Sequence, residues 1–134
     1  MFLEKLSSEN QSSFLQLAYC AIMSDSDLAV QRKKILSDYC REMGLPGAYP
    51  AEPINVDSVI AKMAVDTSVM EKNIIIIELI ALVCKDGIYD QREQNFVKKV
   101  ADAFNINSDK LHKIKDLLDD YSMIFKGLNK LIVE

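Results

Sequence analysis

The chain has no tryptophan, one histidine, three cysteines, three prolines and four glycines in 134 residues. Each shortage removes a class of function. A single histidine cannot build a multi-histidine metal centre, and no Ser/His/Asp or H-E-x-x-H spacing surrounds His112. That residue reads as an exposed helix-surface histidine. So few glycines leave no Gly-rich loop, and with it goes the usual backbone cradle for a nucleotide phosphate. Cys20, Cys40 and Cys84 are odd in number, far apart, and form no C-x-x-C pair. They read as three reduced thiols in the core. Basic charge in excess is also lacking: residues 1–67 carry 6 basic and 9 acidic side chains, and residues 68–134 carry 10 and 11. Counterion-driven binding of nucleic acid is thereby disfavoured. The most apolar stretch, residues 74–84, is interrupted by Glu78. It is about half the ~20 residues that a spanning helix needs, so it reads as a core helix and no membrane span is expected. No basic and then apolar leader opens the chain, which makes a cytoplasmic protein the expectation.

The remainder is the material of a folded domain. Hydrophobic residues make up 49% and charged residues 27%, with a net charge of −4, a balance that excludes a disordered tail. A chain of this length closes a core without disulfides or metal, and one domain over residues 1–134 is expected.

Glycine and proline are clustered as well as scarce. Pro46, Pro50 and Pro53 lie with Gly44 and Gly47 in one connection over residues 44–55. Elsewhere the apolar period is helical, without strand-type alternation. Ser8-x-x-Gln11, Ser68-x-x-Glu71 and Asp90-x-x-Glu93 have the form of capping boxes. Asp25 to Asp27 can open a helix through Ile35, Leu36 and Cys40 that stops at Gly44. Asn55 or Asp57 can open one through Ile60 and Met63, and Asn107 or Ser108 one through Leu111, Ile114 and Tyr121. Gly127 is expected to break or bend that last helix. The apolar tail beyond it, Leu128 to Val133, is expected to dock on its own core, or else to mark a contact surface. With a short turn at residues 2–6 this makes an all-α bundle of about seven helices.

The chain also resembles itself at an offset of 61. Phe14, Leu15, Ala18 and Ile22 fall on Ile75, Ile76, Leu79 and Val83, and Asp25 falls on Asp86. Leu36, Cys40 and Met43 fall on Val97, Ala101 and Phe104. Two similar helix–acidic loop–helix halves, about 8–45 and 68–106, are expected on either side of the Pro-rich connection.

The second acidic loop, Lys85-Asp86-Gly87-Ile88-Tyr89-Asp90-Gln91-Arg92-Glu93, is the most informative segment. One reading makes Gly87 a helix stop and Asp90 and Glu93 the start of the next helix, where free N–H groups favour negative charge. The other makes Asp86, Asp90 and Glu93 the oxygen ligands of a hard divalent cation, Ca²⁺, Mg²⁺ or Mn²⁺. The spacing is not that of an EF-hand. Glu78 stands apart from this loop, on a stripe with Glu71 and Lys85 that reads as the wet edge of a buried helix.

An apolar helix, an Asp-Gly turn, Asp90 and Glu93, then Ala101, Phe104 and Ile106 behind them, resembles the TerB-like (tellurite-resistance protein B) family of small helical bacterial modules. The resemblance covers roughly residues 10–125. It implies a two-repeat helical bundle, a cytoplasmic and non-enzymatic role linked to stress and tellurite resistance, and a divalent cation held by the acidic loops. The first loop departs from the pattern. Ser26 replaces glycine, and Ala29 and Arg32 stand where Asp90 and Glu93 have their counterparts, which leaves Asp25 and Asp27 as accessory acids. The competing expectation is a metal-free interaction module whose apolar helix faces dock a protein partner or form a homodimer.

Overall fold

The computed structural model describes residues 1–24, 26–45, 55–84 and 89–134, with backbone alone for Ser26 and Asp27. Helices account for the fold. After a 3-10 turn at Leu3–Lys5 come α1 (Ser8–Met23), α2 (Ser26–Val30), α3 (Arg32–Glu42), α4 (Val56–Asp66), α5 (Val69–Val83), α6 (Gln91–Ala103) and α7 (Ser108–Val133). There is no strand among the described residues. No described helix is long and apolar enough to cross a membrane. The three prolines of the 44–55 connection lie outside the described residues.

Two helices form the centre. α5 buries side chains around most of its circumference, from Ile74 to Val83, as a helix surrounded by others must. α1 buries Phe14, Leu15, Leu17, Ala18, Ala21 and Ile22 and packs against α2, α3, α4 and α5. The outer helices contribute one stripe each, such as Ile35, Leu36 and Cys40 of α3 and Val97, Val100 and Ala101 of α6.

The caps explain where the helices begin and end. The α1 cap is Ser7 rather than Ser8, and its hydroxyl accepts from the Asn10 N–H at 3.3 Å. Gln11, expected to close a capping box, is buried instead and donates to the Leu3 carbonyl at 3.2 Å, which ties the 3-10 turn to α1. Ser68 caps α5 by accepting from the Glu71 N–H at 3.2 Å. Ser7 and Ser68 are related by the offset of 61. So are the residues that follow the C-caps of α3 and α6. Gly44 (φ 70°) and Asn105 (φ 58°) are both left-handed. Just past them the Leu45 N–H reaches the Cys40 carbonyl at 2.8 Å, and the Ile106 N–H reaches that of Ala101 at 2.9 Å. This six-residue closure satisfies carbonyls left open by the last turn.

Three expectations need correction. The helix foreseen from Asp27 to Met43 is two, α2 and α3, separated at Gln31, whose backbone leaves the helical region (ψ 8°) without a side-chain cap. No glycine or proline marks that break. α7 runs straight through Gly127, since one helical glycine costs about 1 kcal/mol and good helix formers surround it. The tail from Leu128 to Val133 does not dock on the core: every side chain from Asp119 to Glu134 is exposed.

The thiols also divide. No disulfide joins Cys20, Cys40 or Cys84, but only Cys40 is buried, and the other two are half-buried. Burial pushes the Cys40 thiol's pKa up and so suppresses its reactive thiolate. Labelling of the native protein is expected to modify Cys20 and Cys84 well before Cys40, which should need denaturant. Mass spectrometry of partly labelled protein checks the order.

Candidate functional site

The sequence places its candidate ligands at the N-terminus of α6. There the structure builds a full capping box. The Asp90 Oδ1 accepts from the Glu93 N–H at 2.8 Å, and the Glu93 Oε1 accepts from the Asp90 N–H at 3.3 Å. Two N–H groups that the helix leaves open are thereby satisfied, and both carboxylates sit at the positive end of the helix dipole. Their surroundings differ. Asp90 is exposed, whereas Glu93 is only 1% exposed.

Asp25 and Asp86 lie outside the described residues, as does the side chain of Asp27. The flanks of the two acidic loops nevertheless meet. Arg92, in the first turn of α6, donates from Nη1 to the carbonyl of Ser24, the residue before Asp25, at 3.1 Å. Among the described residues no three His, Cys, Asp or Glu side chains converge as a metal would need. Asp90 and Glu93 are brought together as a pair through the capping box.

Tyr89 closes one side of this corner, its carbonyl accepting from Gln94 Nε2 at 2.8 Å. Burial first, then the charges of Cys84 and Glu93, push its hydroxyl pKa up to about 12. Tyr89, Gln94, Leu111, His112 and Lys115 line a shallow depression between α6 and α7. Cys84 and His112 line different grooves.

Glu78 falls outside the wet edge expected of it. It is 3% exposed, and its Oε1 accepts from the Phe2 N–H at 2.8 Å and lies 3.1 Å from the Met1 ammonium. Glu42 accepts from the same ammonium at 2.8 Å and from the Leu3 N–H at 3.1 Å. Glu71 likewise turns to α1, where it accepts from the Ser7 N–H and, at 2.8 Å, from Asn10 Nδ2. Asn10 Oδ1 in turn accepts from the Thr67 hydroxyl at 3.1 Å. These carboxylates tie the first ten residues to α3 and α5.

The second half of α7 is a long apolar feature of the described surface. Tyr121, Ile124, Phe125, Leu128 and Ile132 are 54–78% exposed. The Tyr121 and Phe125 rings stack on one another, with centroids 6.2 Å apart and planes 14° from parallel. Beside them an open groove runs between the end of α5 and α7, lined by Ala81, Cys84, Leu118, Tyr121, Phe125 and Met1. Sequence reasoning finds the apolar residues of this face but not its exposure. Against known protein families, characterised proteins and solved structures, this chain has no match.

Proposed function

We propose that this chain is a TerB-like, non-enzymatic bacterial module of the cytoplasm that works through contacts of its helical surface. One observation carries the reading: α7 leaves the core after Leu118 and exposes its apolar side chains over the following 16 residues. Monomeric proteins seldom leave so long an apolar stripe in water unless a contact covers it. The paired caps at an offset of 61 support the two-repeat architecture that the family resemblance implies. Deleting residues 128–134 is expected to leave the melting temperature at about 1 µM protein within about 2 °C of the intact chain, because these side chains touch no core. A loss of many degrees, equal at low and high protein concentration, would show that the tail belongs to the fold and would overturn the reading.

A second reading, a divalent cation at Asp86, Asp90 and Glu93 with Asp25 and Asp27 nearby, is favoured by the Arg92–Ser24 contact and by the burial of Glu93. Asp90→Asn isolates it. Asparagine caps a helix about as well as aspartate, whereas Asp90→Ala should cost about 1 kcal/mol. If the cation is bound, about 10 mM Ca²⁺, Mg²⁺ or Mn²⁺ raises the melting temperature of the natural chain, and Asp90→Asn removes the rise. Thermal shift without any response in the natural chain leaves a metal-free interaction module.

A further inference from the structure

We infer that the exposed half of α7 pairs with the same helix of a second copy, antiparallel, to make a homodimer. The inference rests on the contact-module reading and names its partner.

The periodicity of α7 points to a helix as the occupant. Leu111, Ile114, Leu118, Tyr121, Phe125, Leu128 and Ile132 alternate at spacings of three and four. A strict seven-residue repeat matches the 3.5-residue period of paired, supercoiled helices rather than the 3.6 of a helix lying on a globular core. Only its first part is used within the chain: Ile114 is buried, Leu111 and Leu118 are half-buried, and the rest is exposed. Leu117, Ile124 and Leu131 add a third apolar row beside these two. In an antiparallel pair this row meets its own kind across the dyad.

The third row distinguishes the orientation. In a parallel pair Leu117 and Ile124 would face the second copy's Ser122 and Asn129, whereas reversed copies set the apolar row against itself. The opposite, solvent face of the helix carries Asp116, Asp119 and Asp120 beside Lys126 and Lys130. A register that stacks Tyr121 on the second copy's Phe125 also sets Leu118 against its Leu128 and places Ile124 beside its own counterpart near the dyad. The second copy's last turns then enter the groove beside Ala81 and Cys84. The same charges disfavour an anionic membrane, which selects helices with a predominantly basic polar face.

The area is sufficient. Seven exposed apolar side chains line the rows from Leu117 to Ile132. Covering them at roughly 100 Å² each buries on the order of 1,400 Å² over two copies, within the range of stable interfaces.

Sedimentation equilibrium of the full chain from about 1 to 100 µM tests this. The expected mass is twice 15.1 kDa at the upper end. Phe125→Glu should give a monomer with unchanged helical circular dichroism, since Phe125 is exposed in the single chain. Ile124→Lys and Ile124→Glu should each weaken self-association about 10-fold at low salt, and a mixture of the two variants should restore it. In a parallel pair residue 124 faces Asn129 rather than its own counterpart, so a mixture that restores nothing overturns the antiparallel assignment. A natural chain that stays monomeric at about 100 µM, or that binds anionic phosphatidylserine vesicles in place of itself, overturns the dimer. In that event the contact-module reading stands or falls separately, on whether deletion of residues 128–134 alters the monomer's stability.

Discussion

Phe14→Ala is expected to destabilise the protein by about 3–5 kcal/mol, the largest effect of any single substitution proposed. Phe14 is wholly buried on α1, the helix that packs against α2, α3, α4 and α5. Its ring meets Tyr39 of α3 edge to face, at 5.3 Å between centroids and 83° between planes. Truncation loses the transfer free energy of the ring, leaves a cavity that the surrounding helices only partly close, and removes the aromatic pair, itself worth about 1 kcal/mol. Total stability for a domain of this kind is about 5–15 kcal/mol, so a large fraction is at stake. With a urea slope of about 2 kcal/mol/M, the midpoint should fall by roughly 2 M at fixed protein concentration. Phe14→Leu keeps most of the volume and should cost nearer 1 kcal/mol. A fall of only a few tenths of 1 M for the alanine variant would contradict the central place given to α1.

Features set by neighbours in sequence are the legible ones. Ser68, Asp90 and Asn107 announce their helices because a cap needs only one side chain and an N–H two or three residues on. Gly44 announces a stop because a left-handed backbone favours glycine, and Asn105 fills the same role as the residue that tolerates it next best. The buried stripes of α1, α3, α5 and α6 follow from periodicity alone. Glu78 does not, because its partner is the N–H of Phe2, 76 residues away, and nothing adjacent to Glu78 encodes that contact. Asn10 and Thr67, 57 residues apart, are hidden for the same reason. The tail of α7 shows the limit from the other side. Its apolar pattern states that the helix face seeks cover, but whether the core supplies it depends on how far a helix of 26 residues, roughly 39 Å, outreaches the domain. At the acidic loop the capping box is local and legible. A shared cation is a matter of how two loops converge, and the Arg92–Ser24 contact joins parts of the chain 68 residues apart.

Glu78→Ala is expected to cost about 2–3 kcal/mol at pH 7, because it strips a buried acceptor from the Phe2 N–H and a counter-charge from the Met1 ammonium. Glu78→Gln keeps an acceptor and loses only the charge. Met1 is nearly half exposed, so screening should hold that loss under about 1 kcal/mol. The two components separate with pH. Burial alone would lower the pKa of the Met1 amine, but its hydrogen bonds to Glu42 and Glu78 and their charges outweigh burial, and the net shift is upward from 8.0. A raised pKa means that the folded chain holds the proton more tightly. The stabilisation is therefore complete below about pH 8 and is lost as pH climbs through the folded value. Tyr39 adds a second limb of the same sign. Burial, then the charges of Glu78 and Glu42, push its hydroxyl up, so its contribution fades only above about pH 10, where the unfolded chain ionises first. Urea midpoints for the natural chain should thus decline from pH 8 and steepen beyond pH 10. The gap between the natural chain and Glu78→Gln should narrow over the first interval, and Tyr39→Phe should flatten the second. A Glu78→Ala variant as stable as the natural chain, or a Glu78→Gln gap that widens from pH 7 to pH 9, would be incompatible with the carboxylate clamp on residues 1–3.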